Sequence, residues 1–278
     1  MKISEIITET NKLAPNIIVK SLEQVVSVWY VQLFDYIQSH TQQEFEVYVL
    51  QRAVKYQLET KLSKSLSPII QHYVREILGY TNYSCNVIIK INKEYDNVTG
   101  EAHIFDEWTN NKNTLTLYPS FDDCLHYQKM KNNSGCIHYM VSTILHELNH
   151  VQQSLKSNNK KIQSKPFNDK YDIEHLKKYE IESYAHQVVY TLLHNKINKQ
   201  SNPIEYWNTI LRPALAKSKE ITVLLTIPQY KTYRNLFFRY KNSKNLEVRD
   251  AVTRSWRLFN NIIYKNIQSY IDDEGFKD

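Results

Sequence analysis

The chain has 278 residues, 42% hydrophobic and 23% charged, which excludes a disordered chain and suits one large domain or a catalytic domain with helical additions. Four Gly and seven Pro argue against a turn-rich all-β fold and favour long helices. The net charge of +6 is a mild surplus, and runs such as "NNKKIQSK" (158–165) read as solvated loop, so a nucleic-acid partner is not expected.

Twenty-one Tyr are read as drift toward Asn, Lys, Ile and Tyr codons rather than as a binding surface. Cys85, Cys124 and Cys136 are odd in number and lack CxxC spacing, which fits free thiols in a reducing compartment. The first twenty residues lack the apolar core of a signal peptide. No window approaches the ~18 apolar residues that span a bilayer. A cytoplasmic protein without a membrane partner is expected.

Apolar residues recur at helical spacing from 17 to 78, and Gly79 is the expected stop. From 84 to 119, "SCNVIIKIN", "TGEAHIFDEW" and "NTLTLYP" are short, β-branched and alternating, and predict three antiparallel strands. Helical periodicity returns over 137–155, a polar loop follows over 156–170, and a second helix is expected over about 172–196. The tail from 204 to 272 is mostly helical, with "YWNTILRPALAK" and "VTRSWRLFNNIIYKNIQSYI" its clearest pieces. The order gives an α+β fold, predominantly α, divided as 1–80 helical, 81–200 core and 201–278 helical.

The stretch "STILHELNHVQQ" (142–153) carries the chemistry. Residues i and i+4 of a helix lie nearly above one another, so His146 and His150 can converge on one cation. Glu147 sits beside that face, placed to take a proton from a metal-activated water rather than to bind the metal. Ile137, Met140, Val141, Ile144, Leu148, Val151 and Leu155 form the opposite, apolar side. Thr143, His146, Glu147, His150 and Gln153 therefore lie off the core stripe. The bland alternative is a solvated polar face with two chance histidines. A random chain of this composition would show HExxH roughly once in fifty cases, so the metal site is the preferred reading.

Catalytic zinc usually takes three protein ligands. The HExxHxxGxxH extension is absent, because Gln153 and Lys156 stand where its Gly and third His would. "KKYEIESYAHQVVYTLL" (177–193) offers Glu180 and Glu182 instead. On its wheel Ile181, Ala185, Val188, Val189 and Leu192 form the buried stripe; Glu182 lies at the edge and Glu180 points away. Glu182 is the preferred ligand and Glu180 the fallback. His186 is open between a group orienting a ligand, an alternative ligand and an exposed histidine.

"HELNH" followed by "EIESYA" resembles the gluzincin branch of the zincin metallopeptidases, and HExxHxxQ with ExExxA is similar to metallopeptidases of tailed bacteriophages. The match covers roughly residues 85 to 195. It implies a zincin-like core, a small antiparallel sheet with the HExxH helix and a following Glu-bearing helix, with Zn2+ held by His146, His150 and Glu182. It also implies Glu147 as general base in hydrolysis of a polypeptide substrate, in a host cytoplasm or a virion. Two departures stand out: the 32 positions from His150 to Glu182 exceed the thermolysin-like interval, and His186 occupies a place where many relatives carry Asp.

Several roles stay open. Tyr179, Tyr184, His186 and Tyr190 are equal candidates for donating to the developing oxyanion. The strand "NTLTLYP" is expected to flank the cleft and pair with an extended substrate. A catalytically inactive zincin fold, whose aromatic helices "VWYVQLFDYI" and "SWRLFNNIIYKNIQSYI" serve assembly, is the alternative to an enzyme. Plain core packing is the favoured reading of those stripes.

Overall fold

This computed structural model describes residue 14 and residues 16–39, 48–82, 84–91, 100–103, 113–119, 133–156, 178–197, 200–216 and 222–273. The loop expected over 156–170 lies, after Lys156, outside the described residues, and so does Cys124. The described residues divide into two compact units, one within residues 14–156 and one within 178–273.

The first unit combines three helices with one small sheet. Helix α1 (Asn16–Ser39) and helix α2 (Tyr48–His72) pack together. Trp29 is buried between them, and its indole N–H donates to Ser65 Oγ at 2.8 Å. Trp29 and Tyr30, the aromatics of "VWYVQLFDYI" whose burial is described, are both buried. A π-helical turn, Tyr73–Ile77, extends α2. The chain leaves it at Gly79, whose φ of 78° is a left-handed conformation that a side chain would strain. The Gly79 stop is where the periodicity put it.

Strands β1 (Cys85–Ile89), β2 (Gly100–His103) and β3 (Asn113–Leu117) form a sheet of order β1-β3-β2. β3 runs antiparallel to β2 but parallel to β1, with Val87 opposite Leu115 in the parallel pair. The wholly antiparallel sheet expected from the sequence is therefore corrected to a mixed one. Alternation reports which face a strand buries and is silent on its direction, which the crossover from β1 to the far edge decides. β3 is also central, with both edges hydrogen-bonded, so "NTLTLYP" has no edge to offer a substrate.

The burial agrees with that order. β1 alternates buried and exposed residues, whereas Leu115, Thr116 and Leu117 of β3 are buried in succession. Side chains of α2 cover the outer edge of β1. The Ile89 N–H donates to Ser63 Oγ (3.0 Å), the Ile91 N–H donates to Glu59 Oε1 (2.7 Å), and Gln71 Nε2 donates to the Cys85 carbonyl (2.8 Å). An exposed strand edge is a template for unwanted pairing, and here a helix closes it. Cys85 is buried and forms no disulfide among the described residues. Helix α3 (Asn133–Lys156) packs on α1 and against β2.

The second unit is helical. Helix α4 (Lys178–Leu192) continues as a π-helical turn, Leu193–Ile197. Helices α5 (Pro203–Tyr206) and α6 (Arg212–Ala216) are joined by a third such turn, Trp207–Leu211. Pro213 explains it: proline has no N–H to give the preceding turn, and its ring crowds that turn's carbonyl. After α7 (Thr222–Leu225), α8 (Pro228–Tyr240) and α9 (Leu246–Asp273) pack against each other and both against α4. Asn245 caps α9, its Oδ1 accepting from the N–H groups of Glu247 (3.0 Å) and Val248 (3.3 Å). The core holds Ile181, Val188 and Val189 of α4 with Trp207, Tyr233 and Phe259, and the last two rings stack at 4.3 Å. No described helix is long and apolar enough to cross a membrane.

Candidate metal centre

The apolar side of α3 is buried as its pattern requires, from Met140 through Val151 to Leu155. Its polar side is buried too. His146 is 8% exposed and Glu147 6%, and Thr143, Asn149, Gln152 and Gln153 are equally enclosed; His150 is half-buried. A solvated polar face would expose these groups, so the bland alternative does not describe this helix. Burying imidazole and carboxylate is costly unless they are paired, hydrogen-bonded or bound to a cation.

The two imidazoles meet. His146 Nε2 and His150 Nε2 lie 3.1 Å apart, with ring centroids at 4.8 Å and planes at 82°. On the far side of its ring, His150 Nδ1 lies 3.0 Å from Gln153 Oε1. An amide oxygen only accepts, so Nδ1 carries the proton and Nε2 presents a lone pair. Fixing the outer nitrogen as donor is how proteins prepare a histidine to bind metal through the inner one. Gln153 was visible in the sequence as part of HExxHxxQ, but i+3 spacing on one face was the only sign of this role.

Helix α4 shows the same double burial. Its stripe of Ile181, Ala185, Val188, Val189 and Leu192 belongs to the core of the second unit. Outside that stripe, Glu182 (5% exposed), Ser183, His186 and Gln187 are buried as well, and Tyr190 with them. His186 is therefore not the exposed histidine that was one of its readings. Glu180 is half-buried. Burial, then the nearby Glu180 carboxylate and Tyr184, push the Tyr233 phenol well above its usual range, which marks Tyr233 as a neighbour of Glu180 that no spacing rule could supply.

Among the described residues, His146, His150 and Glu180 form a group that could hold a metal ion. Two nitrogens and a carboxylate oxygen suit a borderline divalent cation such as Zn2+, though the donor set alone does not select one metal. The group takes the fallback carboxylate. Glu182, preferred from the wheel, is more deeply buried but is not one of the three. A wheel drawn for one buried stripe cannot rank two carboxylates on a helix enclosed almost all round. No family model, curated protein or solved structure matches this chain.

Proposed function

We propose that this protein is a zinc-dependent metallopeptidase with a zincin-like centre. His146, His150 and a carboxylate of α4 would hold the ion, Glu182 by the resemblance and Glu180 by the donor group above. The observation that carries the reading is the pair of imidazoles, His146 buried and His150 half-buried, whose inner nitrogens converge while Gln153 holds the outer nitrogen of His150. When bound, the ion would polarise the scissile carbonyl and acidify a water.

The chain's own residues then have distinct tasks. Glu147, adjacent to a ligand and enclosed, would take a proton from an attacking water and deliver it to the leaving amine. Enclosure strengthens every charge interaction in the site. Polypeptide as substrate rests on the gluzincin resemblance of "HELNH" and "EIESYA". Among the described residues β2 pairs only with β3 and packs on α3, so an extended chain would add at β2 rather than at β3.

The test is Glu147→Gln. Hydrolysis of a general protein substrate such as casein should fall by about 10²–10⁴-fold while bound metal is retained, since the amide keeps the shape but cannot take the proton. Unchanged hydrolysis would remove Glu147 from the mechanism.

A further inference from the structure

Glu180 and Tyr184 stand one turn apart on α4 and so share a face of that helix. Helix α8 belongs to the same compact unit and packs against α4. It brings Tyr233 to that face, where the Tyr184 and Tyr233 ring centroids lie 6.0 Å apart with their planes at 49°. Tyr233 is 3% exposed, and its ring stacks on the fully buried Phe259 at 4.3 Å with planes at 14°. A ring held this way cannot swing its hydroxyl elsewhere without opening the core.

A buried phenol needs a hydrogen-bond partner. The cluster around Tyr233 consists of aliphatic and aromatic side chains. On the face that Tyr233 meets, Glu180 and Tyr184 supply the polar groups, and a carboxylate is a stronger acceptor than a second phenol. The electrostatics agree: burial first, then Glu180, then Tyr184 push the Tyr233 phenol up, which keeps it protonated and able to donate. One phenol cannot serve both candidate ligands. Glu182 follows Glu180 by two positions, about 200° around the helix.

We propose that Tyr233 is a positioning residue of the metal centre: its O–H donates to one oxygen of the Glu180 carboxylate, leaving the other for the ion shared with His146 and His150. This makes Glu180, rather than Glu182, the third ligand. The inference rests on the metal-centre reading above and deepens it. A ligating carboxylate already held by an outer donor is oriented before the ion arrives, as Gln153 orients His150. The two outer contacts differ in origin. Gln153 lies one turn from its histidine, whereas Tyr233 comes from α8, fifty-three positions after Glu180 (233 minus 180).

The Zn2+ affinity of the full chain, read by competition with a chromogenic chelator, tests this. Tyr233→Phe keeps the ring and its stack on Phe259 and removes only the hydroxyl. It should weaken Zn2+ binding about 10- to 100-fold. Tyr230→Phe removes another buried phenol from the same core, one whose ring lies 5.9 Å from Phe259, and should bind Zn2+ as wild type does. A merely structural role would make the two variants alike, shifting unfolding and not affinity. Glu180→Ala, which leaves the aromatic core intact, should release the ion. The positioning role is overturned if Tyr233→Phe binds Zn2+ as tightly as wild type, if Tyr230→Phe weakens binding equally, or if Glu180→Ala keeps the ion. Those results leave the metal centre standing; wild type that binds no Zn2+ overturns the centre, and the role of Tyr233 with it.

Discussion

Helices α3 and α9 are alike as sequences and unlike as surfaces. Both are long, 24 and 28 residues, and both carry one continuous apolar stripe that is buried. In α9 the remaining face is solvated, with Arg254, Arg257 and Lys265 exposed. In α3 the corresponding face is enclosed, with His146, Glu147, Asn149 and Gln153 withdrawn from water. Amphipathic periodicity records only that one side must be covered. Whether the other side is solvated depends on what the rest of the chain places over it. A polar face that is covered has to have a reason for its desolvation, and that is what singles out α3 and α4.

The apolar sides should prove equivalent. Ile144→Ala in α3 and Phe259→Ala in α9 should each destabilise by about 2–5 kcal/mol, read from chemical unfolding, because both side chains are fully buried. A loss below about 1 kcal/mol at either would show that its stripe is not core.

The polar sides should then separate. Gln153→Leu removes the acceptor that fixes the His150 tautomer and should weaken metal binding about 10- to 100-fold, measured by competition with a chromogenic chelator. Unchanged affinity would mean that the Gln153 contact does not prepare the ligand. Arg254→Gln and Arg257→Gln, on the solvated face of α9, should shift stability by no more than about 0.5 kcal/mol. A larger shift would make that face part of the fold rather than a free surface.

Local pattern carried much of this architecture into view. Helix α1, the Gly79 stop, the strand positions and the apolar sides of α3 and α4 all follow from residue spacing, because each is decided within a few turns of chain. Strand direction does not, since Val87 opposite Leu115 depends on a crossover that leaves no trace in alternation. The π-helical turns escaped as well, although Pro213 gives a cause for one of them. At the site, the His146–His150 pair was legible because i+4 geometry is local. The choice between Glu180 and Glu182 was not, because both lie on a helix whose burial nearly surrounds it.

Metal content is the most direct test of the account. Protein purified without chelator and dialysed against trace zinc should carry about one Zn2+ per chain by plasma mass spectrometry, and His146→Ala and His150→Ala should each carry essentially none while remaining folded by circular dichroism. Glu180→Ala and Glu182→Ala, measured alongside, should identify the third ligand as the one whose loss releases the ion. Wild type holding no metal, or both histidine variants holding as much as wild type, would contradict the central claim.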